Sequence, residues 1–438
     1  KVYHYEPAFE RAISLHNEEI AAIVAQAEEP TFENTIAAMD RSGRMLSDVA
    51  NIFGMLCAAE TNEQMQELEG KLMPQLTSHN DAILMNEELF KRVKAVYDTR
   101  KSLDLEADQI RLTEKIYDDF VRSGALLDSE KKSRLKQINE ELSALSVRFG
   151  SNVLAENNAF VMYQTEKEAA QLPSSVRDAA REKAKELGEE GKYAFTLHKP
   201  SLLPFLTYSP ERAAREEIYR AYLNRGNNNN EYDNKQIIND MIRLRTEKAK
   251  LLGYKSYAHY VTSDQMAATP KAVYTLLGEV WEPALERARE ELAEMEKMFK
   301  EDYTDSEYKF ESWDWWYYAE KVRQKKYALN EDIIRGYFSL DNTRQGIFNL
   351  ANRLFGITFR PVTVPVYHKD VSAYEVLDKD ESHLGILYFD FHPRAGKGQG
   401  AWCGYYREQY YKADGTRVAP VVSIVCNFTR PTESTPSL

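Results

Sequence analysis

Apolar residues recur at three- and four-residue steps over most of the chain, which is the spacing of amphipathic helices. After a break at Pro30, this spacing predicts a helix from Phe32 to Leu56 with a single apolar stripe. The stripe consists of Phe32, Ile36, Met39, Leu46, Val49, Phe53 and Leu56. The same spacing predicts a helix over Ala107–Val121, with Gly124 as its C-cap.

The next predicted helix carries a regular apolar seam. Asp128 is its candidate N-cap, and its apolar residues follow a 3-4-3-4 rhythm: Leu135, Ile138, Leu142, Leu145 and Phe149. Such a seam fits either a coiled-coil arm or an antiparallel helix pair in a globular body. Because the rhythm lasts for only two heptads, we favour the helix pair.

The helical spacing weakens in the middle of the chain. Four prolines interrupt Val153–Pro210, which makes this stretch the best candidate for a hinge or lobe boundary, and Phe160–Tyr163 fits a short strand. The polar tract Asn227–Asn230 is most simply a solvated loop tip. These features divide the chain into a helical region over 1–165, a second helical region over 166–335 and an α+β segment over 336–438.

Three further segments have a clear pattern. A helix over Ile237–Leu252 ends at Gly253, and a long charged helix over Ala272–Tyr303 is kinked or broken at Pro283. The aromatic cluster Ser312–Tyr318 fits either a ligand-stacking platform or a core packed between several elements. We favour a packed core or a channel wall.

Strand patterns appear only near the end. Leu384–Phe391 and Val418–Phe428 are β-branched and aromatic runs, Gly400–Tyr406 alternates small and aromatic residues, and Asp414-Gly415 suits a hairpin turn. A glycine-rich corner, Ala395–Gly400, lies among them. The predicted fold is therefore mainly α, with a small β-sheet near the C-terminal end of the chain.

Composition narrows the class of protein. The chain has 57 basic and 69 acidic residues, a net charge of −12, which argues against nucleic acid or an anionic membrane as the main partner. No apolar run is long enough to cross a bilayer. Lys1–Glu10 does not have the pattern of a secretory signal, so we expect a cytoplasmic protein. The absence of an initiator Met suggests that an upstream piece was removed, and a lost signal would instead give a periplasmic or exported protein.

The usual catalytic motifs are missing. The chain has neither a nucleophile elbow nor a Walker sequence, and Gly396–Gly400 is only a weak candidate for phosphate binding. Its eight histidines never occur at i, i+4, so no helix carries a metal-binding pair. Asp390 and His392 are two possible metal ligands, although a hydrogen-bonded structural pair is the simpler interpretation. The three cysteines, Cys57, Cys403 and Cys426, are best explained as buried free thiols.

A series of stretches runs in order along nearly the whole chain, and its most specific members are FHPRAGKGQGAW at Phe391–Trp402 and VSIVCNFTRP at Val422–Pro431. The others are Glu29–Asp40, Arg134–Leu154, Ala221–Gly226, Asp233–Tyr260, Trp313–Arg323 and Tyr337–Phe359. This ordered series resembles the thimet-oligopeptidase-type zinc metallopeptidases, and above all their bacterial peptidyl-dipeptidase branch. Two details differ from the family, since Gln399 stands where a glycine is common and Cys403 where a methionine is often found.

The resemblance implies a two-lobed helical, zincin-like oligopeptidase with one catalytic zinc ion. In the family, H-E-x-x-H follows the stretch that matches Asn427–Leu438, so the zinc ligands are expected outside these 438 residues and this chain alone should be inactive. The family places an edge strand beside the substrate, and by position Gly400, Ala401 and Trp402 are our candidates for substrate binding. Trp402 would equally suit packing of the sheet on the helices.

The expected partners are short unfolded peptides, and the expected state is a monomer. The resemblance implies release of C-terminal dipeptides, with endopeptidase cleavage as the alternative. A protein of another class, a helical peptide-binding protein without catalysis, would fit the same scaffold and the missing metal pair.

Overall fold

The computed structural model describes residues 1–304, 307–328, 333–334, 336–412, 414–431 and 437. Its elements confirm the prediction of a mainly α protein with a small sheet near the C-terminal end. A 3₁₀ turn (Val2–His4) and a π-helical turn (Phe32–Ala37) accompany the helices of the first half. Those helices are α1 (Tyr5–Val24), α2 (Ala38–Arg41), α3 (Arg44–Ala59), α4 (Glu63–Leu84), α5 (Glu87–Thr99), α6 (Ala107–Arg122) and α7 (Ser129–Ala159).

The middle of the chain alternates short strands with helices. It contains β1 (Val161–Gln164), α8 (Glu166–Ala169), α9 (Ser174–Glu186), β2 (Tyr193–Thr196), α10 (Lys199–Tyr208), α11 (Arg212–Leu223), α12 (Lys235–Leu251) and α13 (Tyr257–Thr262). A long helix, a 3₁₀ turn and two further helices follow: α14 (Pro270–Asp302), the turn Ser312–Asp314, α15 (Trp315–Tyr327) and α16 (Leu340–Phe355). The remaining strands are β3 (Thr358–Pro361), β4 (Ser372–Leu377), β5 (His383–Asp390), β6 (Trp402–Arg407), β7 (Tyr410–Tyr411), β8 (Arg417–Val418) and β9 (Val421–Val425).

The chain forms two compact units. The first unit comprises Lys1–Cys57, Thr61–Ser151 and Asn234–Val273, and the second comprises Ala58–Glu60, Asn152–Asp233 and Tyr274–Leu438. The three-part division made from the sequence stays a prediction.

The first unit has a core of helices, and its predicted apolar stripe is interrupted. Phe32, Ile36, Leu46 and Phe53 are buried as expected, but they do not lie on one continuous helix. The helix breaks at Gly43, whose backbone adopts a left-handed conformation with φ of +68°. Only glycine takes this conformation without strain, and a Cβ built there would lie 2.7 Å from the His16 ring.

Helix ends in the first unit agree better with the sequence. The Asp128 side chain accepts a hydrogen bond from the Lys131 backbone N–H at 2.9 Å, which confirms it as the N-cap of α7. Gly124 and Gly253 have positive φ just after α6 and α12, as the predicted C-caps require. In the described part of the chain, no helix is both long and apolar enough to cross a membrane.

Two histidines in the first unit form a hydrogen-bonded chain. Nε2 of His79 lies 2.9 Å from Nδ1 of His16, and Nε2 of His16 lies 3.2 Å from Oγ of Ser42. The Ser42 hydroxyl donates its proton to the Met39 carbonyl, so His16 must donate to Ser42 and accept from His79. Burial lowers the pKa of both imidazoles. A second proton on His16, at Nδ1, would also face the N–H of His79 and break the hydrogen bond between the two rings.

The first unit is therefore expected to lose stability in mild acid. The pKa values of His16 and His79 lie below the unfolded value of about 6.5, so below that pH the unfolded chain takes up more protons. The contribution of these two histidines to the free energy of unfolding is fully present above that pH and is lost as the pH falls. In urea unfolding between pH 7.5 and 5, the double variant His16→Gln/His79→Gln should show a weaker pH dependence than the wild type. His4→Gln, which changes an exposed histidine of the same unit, is the control and should keep the pH dependence of the wild type.

The second unit contains the aromatic cluster predicted at Ser312–Tyr318. Trp313 and Tyr318 are buried, and Tyr318 packs with Met295 and Phe299 of α14, so the packed-core interpretation is confirmed for these two rings. Helix α14 runs through Pro283 without ending. Of the two predicted alternatives a break is therefore excluded, and a kink at Pro283 stays a prediction.

A buried ion-pair network joins this cluster to α11. The Asp314 carboxylate is fully buried and accepts hydrogen bonds from Arg215, at 2.8 Å, and from Nε of Arg212, at 3.1 Å. Arg215 is also fully buried, and it donates to the Ser209 carbonyl at 2.7 Å. Each charge in the network thus has partners on other elements.

The C-terminal sheet has five strands in the order β3-β4-β5-β9-β6. The β5–β9 pair is parallel and the other pairs are antiparallel. Helix α16 packs on this sheet through Phe348, whose ring stacks on Phe359 with centroids 4.1 Å apart. The predicted turn at Asp414-Gly415 joins β7 to β8 as an antiparallel hairpin. Strand β9 follows β6 in the chain but lies between β5 and β6 in the sheet.

Candidate functional site

The three predicted site residues are consecutive in the chain and lie where it enters β6. In the part of the chain that is described, β6 pairs only with β9, so its other side is the edge of the sheet. Trp402, half-buried, is its first residue and pairs with Val425, whereas Gly400 and Ala401 lie just before the strand. An edge strand keeps unpaired backbone N–H and C=O groups that can bind an extended peptide.

The turn into β6 requires glycine at one position. Gly400 has a φ of +93°, the left-handed region that side-chain-bearing residues rarely adopt. The Asn427 side-chain amide fixes this turn by donating hydrogen bonds to the carbonyls of Gly398, at 3.0 Å, and Gly400, at 2.7 Å. Asn427 follows β9, so the two neighbouring strands hold the turn between them.

A buried ion-pair network around Asp390 holds the glycine-rich corner in place. Asp390, at the end of β5, is fully buried. Its carboxylate accepts hydrogen bonds from Arg394 at 2.7 and 2.9 Å, from Lys397 at 2.8 Å and from the Tyr367 hydroxyl at 2.7 Å. Burial would raise the pKa of the Asp390 carboxyl, but the hydrogen bonds from these three groups outweigh it and hold that pKa below its ordinary value. Asp390 is therefore a structural carboxylate.

Lys397 has no capacity left for a phosphate group. Its ammonium donates to the Asp390 carboxylate, to the Asp390 carbonyl at 3.0 Å and to the His392 carbonyl at 2.9 Å. These contacts use all three donors of a lysine, and the residue is 1% exposed. Phosphate binding by this corner, weak from sequence alone, is excluded for Lys397.

The predicted pairing of Asp390 with His392 was wrong. Nδ1 of His392 lies 3.3 Å from the Phe428 carbonyl, whereas Asp390 is enclosed by its cations and Tyr367. Across the described residues, no group of three or more His, Cys, Asp and Glu side chains is placed to hold a metal ion. These residues therefore do not provide a zinc site.

The rest of the corner is tied to elements far away in sequence. The Gly398 N–H donates to the Ala58 carbonyl at 2.8 Å, and the Gln399 amide donates to the Leu197 carbonyl at 3.2 Å and to the Asn157 side chain. Arg394 additionally pairs with Glu60. Spacing in the sequence gave no sign of these contacts, because their partners lie hundreds of positions away along the chain.

The thiols are free, as predicted, but less buried than predicted. All three cysteines are free, but Cys403 on β6 is exposed, whereas Cys57 and Cys426 are half-buried. Cys403 lies on the edge strand, where its neighbours on β9 cover only one side. The expectation of burial was wrong for this residue.

Comparison with known proteins identifies the family. The profile described as Peptidase family M3 matches residues 205–438, which is more than half of the chain. The chain belongs to peptidase family M3. This confirms the resemblance drawn from the sequence, and the match includes β6, the glycine-rich corner and the Asp390 network.

Similar curated proteins extend the likeness along the whole chain. The M3 chain is 36% identical to the dipeptidyl carboxypeptidase of Salmonella typhimurium over 438 residues, covering 99% of this chain and 64% of that protein. It is 32% identical to oligopeptidase A of Escherichia coli over 445 residues, again covering 99% of this chain and 64% of that protein. An organellar oligopeptidase A of Arabidopsis thaliana is 31% identical over 448 residues, with 99% and 56% covered. The M3 chain thus spans less than two thirds of the length of these relatives.

Proposed function

We propose that this chain provides the peptide-docking part of a zinc oligopeptidase that releases dipeptides from the C-termini of short unfolded peptides. Membership of family M3 and the likeness to dipeptidyl carboxypeptidase support a metallopeptidase that acts on peptides. The observation that carries the docking role is that one side of β6 is unpaired among the described residues; β6 starts at Trp402, after a turn fixed by Asn427. Cytoplasmic location and a monomeric state belong to the same proposal.

In this proposal the substrate lies along β6 as an added strand. Backbone N–H and C=O groups on the free side of β6 would bind those of the peptide, independently of its sequence. The rigid corner fixes where the strand begins, since Gly398, Gly400 and Asp390 all have partners outside the strand. Fixing the strand fixes the position of the scissile bond, which is the chief contribution of a docking surface to rate.

The zinc ion of the proposal is not held by the residues described here, because they contain no suitable cluster. We place its ligands outside these 438 residues, and the Lewis-acid chemistry it supplies is the activation of a water molecule. This chain contributes the binding and orientation of the peptide. The 438 residues alone are accordingly expected to bind no stoichiometric zinc and to cleave nothing.

Trp402→Ala tests the docking role in the full-length gene product. It is expected to lower kcat/KM on short peptides about tenfold or more while zinc content stays unchanged, because it removes a contact at the start of the docking strand without touching a metal ligand. Trp281→Ala, which removes an exposed tryptophan from α14, is the matched control and should leave the rate near that of the wild type. Peptide cleavage, chelator sensitivity and bound zinc are measured for each protein.

Two results would contradict the proposal. If Trp402→Ala cleaves peptides as fast as the wild type, Trp402 only packs the sheet. If the full-length product is metal-free and inactive, the chain belongs to a peptide-binding protein rather than an enzyme. Cleavage inside peptides without dipeptide release would support the endopeptidase alternative.

A further inference from the structure

The side chain of Asn427 lies against the turn that leads into β6. Its Nδ2 donates one hydrogen bond to the Gly398 carbonyl, at 3.0 Å, and another to the Gly400 carbonyl, at 2.7 Å. Because both partners are carbonyl oxygens, only the amide nitrogen can face them, and the two bonds use both of its N–H groups. Asn427 therefore holds the turn on both sides of Gln399.

The backbone around Asn427 is itself fixed. The Cys426 N–H donates to the Asp390 carbonyl at 2.8 Å, and the Phe428 N–H donates to the Phe391 carbonyl at 2.7 Å. These two bonds continue the pairing of β5 with β9 beyond the end of β9. Since β9 lies between β5 and β6, the Asn427 amide extends from a backbone that is anchored inside the sheet.

The amide takes over where the backbone ladder stops. The antiparallel pairing of β6 with β9 ends at Trp402 and Val425. Before Trp402 the chain passes through Gly400, and glycine allows more backbone conformations than any other residue. The two hydrogen bonds from Asn427 select one of them, with φ of +93° at Gly400, and so set the direction in which the chain enters β6.

We propose that Asn427 is a positioning residue for peptide cleavage. By fixing the turn at Gly400, it fixes the path of β6 and with it the place of the scissile bond in a peptide bound along β6. Asn427 acts through the backbone of the turn and not through a contact with the peptide. A misplacement of about 1 Å can lower a rate about a hundredfold, so a small shift of this strand changes the rate more than the binding. This inference rests on the proposed function, because it needs a peptide that is cleaved while it lies along β6.

The chemistry of the amide allows the role to be tested by two close replacements. Aspartate has the length of asparagine, but its carboxylate donates no hydrogen bond and would place a negative charge beside two carbonyl oxygens. Glutamine keeps both N–H donors on a side chain that is longer by one methylene group. The comparison of the two therefore separates the loss of the donors from a change of size.

Steady-state cleavage of the tetrapeptide Leu-Ala-Leu-Ala by the full-length gene product tests the proposal. Asn427→Asp should lower kcat at least tenfold and change KM less than about threefold, because the peptide still binds the strand while its scissile bond is misplaced. Zinc content should not change. Asn427→Gln should have a kcat at least threefold above that of Asn427→Asp. The matched control is Asn352→Asp, since the exposed Asn352 amide also donates to a carbonyl, that of Ile357 at 3.2 Å, and this variant should keep the wild-type kcat and KM.

Gly400→Ala reaches the same turn without changing Asn427. A Cβ at Gly400 would lie within 4 Å of no described atom apart from its chain neighbours, so the substitution strains only the local backbone. It should also lower kcat, and it tests the turn even if Asn427→Asp does not fold. The double variant should be no slower than the slower single variant, because both changes release one turn. Gly415→Ala is the matched control, with φ of +81° and equally open surroundings in the β7–β8 hairpin, and it should cleave like the wild type.

The positioning role is overturned if Asn427→Asp or Gly400→Ala cleaves the tetrapeptide as fast as the wild type. It is also overturned if the loss lies entirely in KM, or if Asn427→Gln is no faster than Asn427→Asp. Failure of the proposed function gives a different result, since the wild type itself then cleaves nothing or Trp402→Ala cleaves at the wild-type rate. An active wild type with a slow Trp402→Ala and fast turn variants removes the positioning role alone.

Discussion

Asp390→Ala is expected to lower the free energy of unfolding by about 3–5 kcal/mol. The carboxylate is fully buried and accepts hydrogen bonds from Arg394, Lys397 and Tyr367. Without this carboxylate, the Lys397 ammonium stays buried with only carbonyl groups as hydrogen-bond partners. Leaving a buried charge without a counter-charge is strongly destabilising. Urea unfolding followed by circular dichroism measures the loss.

Glu217→Ala removes an exposed acid from α11 in the same unit and should change stability by no more than about 0.5 kcal/mol. Lys397→Met should cost less than Asp390→Ala, because Arg394 still pairs with the carboxylate and the apolar replacement has a similar length. A loss for Asp390→Ala as small as that for Glu217→Ala would show that the buried network does not support the corner.

Asp314→Ala is expected to have an effect of the same size, about 3–5 kcal/mol. Arg215 has no exposed surface, and removal of Asp314 leaves its guanidinium with only backbone carbonyls as partners. Arg212 would lose the same carboxylate. Thermal and urea unfolding of the variant, with near-ultraviolet circular dichroism of the tryptophans, would report both the stability and the packing of the cluster.

Asp341→Ala is the matched control for Asp314→Ala. Asp341 also pairs with an arginine, Arg344, at 2.8 Å, but its side chain is 82% exposed. Exposed pairs contribute about 0–1 kcal/mol, so this loss should be several-fold smaller than the loss for Asp314→Ala. Equal losses would mean that burial does not set the cost of removing an aspartate from these pairs.

Local patterns in the sequence predicted local structure well. Gly253 and Gly124 were predicted from the helices that they follow, and Asp128 was predicted as an N-cap, because each signal involves residues within one helical turn. The small sheet was predicted from its β-branched and aromatic runs, although β9 is shorter than its apolar run suggests. The family resemblance selected Gly400 and Trp402, and the structure places Trp402 at the start of the edge strand and Gly400 just before it; their role in binding stays a prediction.

Contacts between residues that are distant in the chain could not be predicted from the sequence. The tract Asn227–Asn230 is exposed, as predicted for a solvated loop tip, but the sequence gave no sign that Asn228 and Asn230 donate hydrogen bonds to the buried Glu156 carboxylate at 2.9 and 2.7 Å. The backbone at the Gly43 break lies against the ring of His16, which is on another helix. Neither partner can be identified by periodicity, which reports the faces of an element and not what packs against them.

The order of the strands has a consequence for how the molecule is made. Strand β9 is translated after β6 but lies between β6 and β5 in the finished sheet. During synthesis β6 therefore has no partner strand among the described residues until β9 has left the ribosome. Because β9 is the strand that joins β6 to β5, β6 cannot become part of the sheet before β9 is available, whichever of the two pairings forms first.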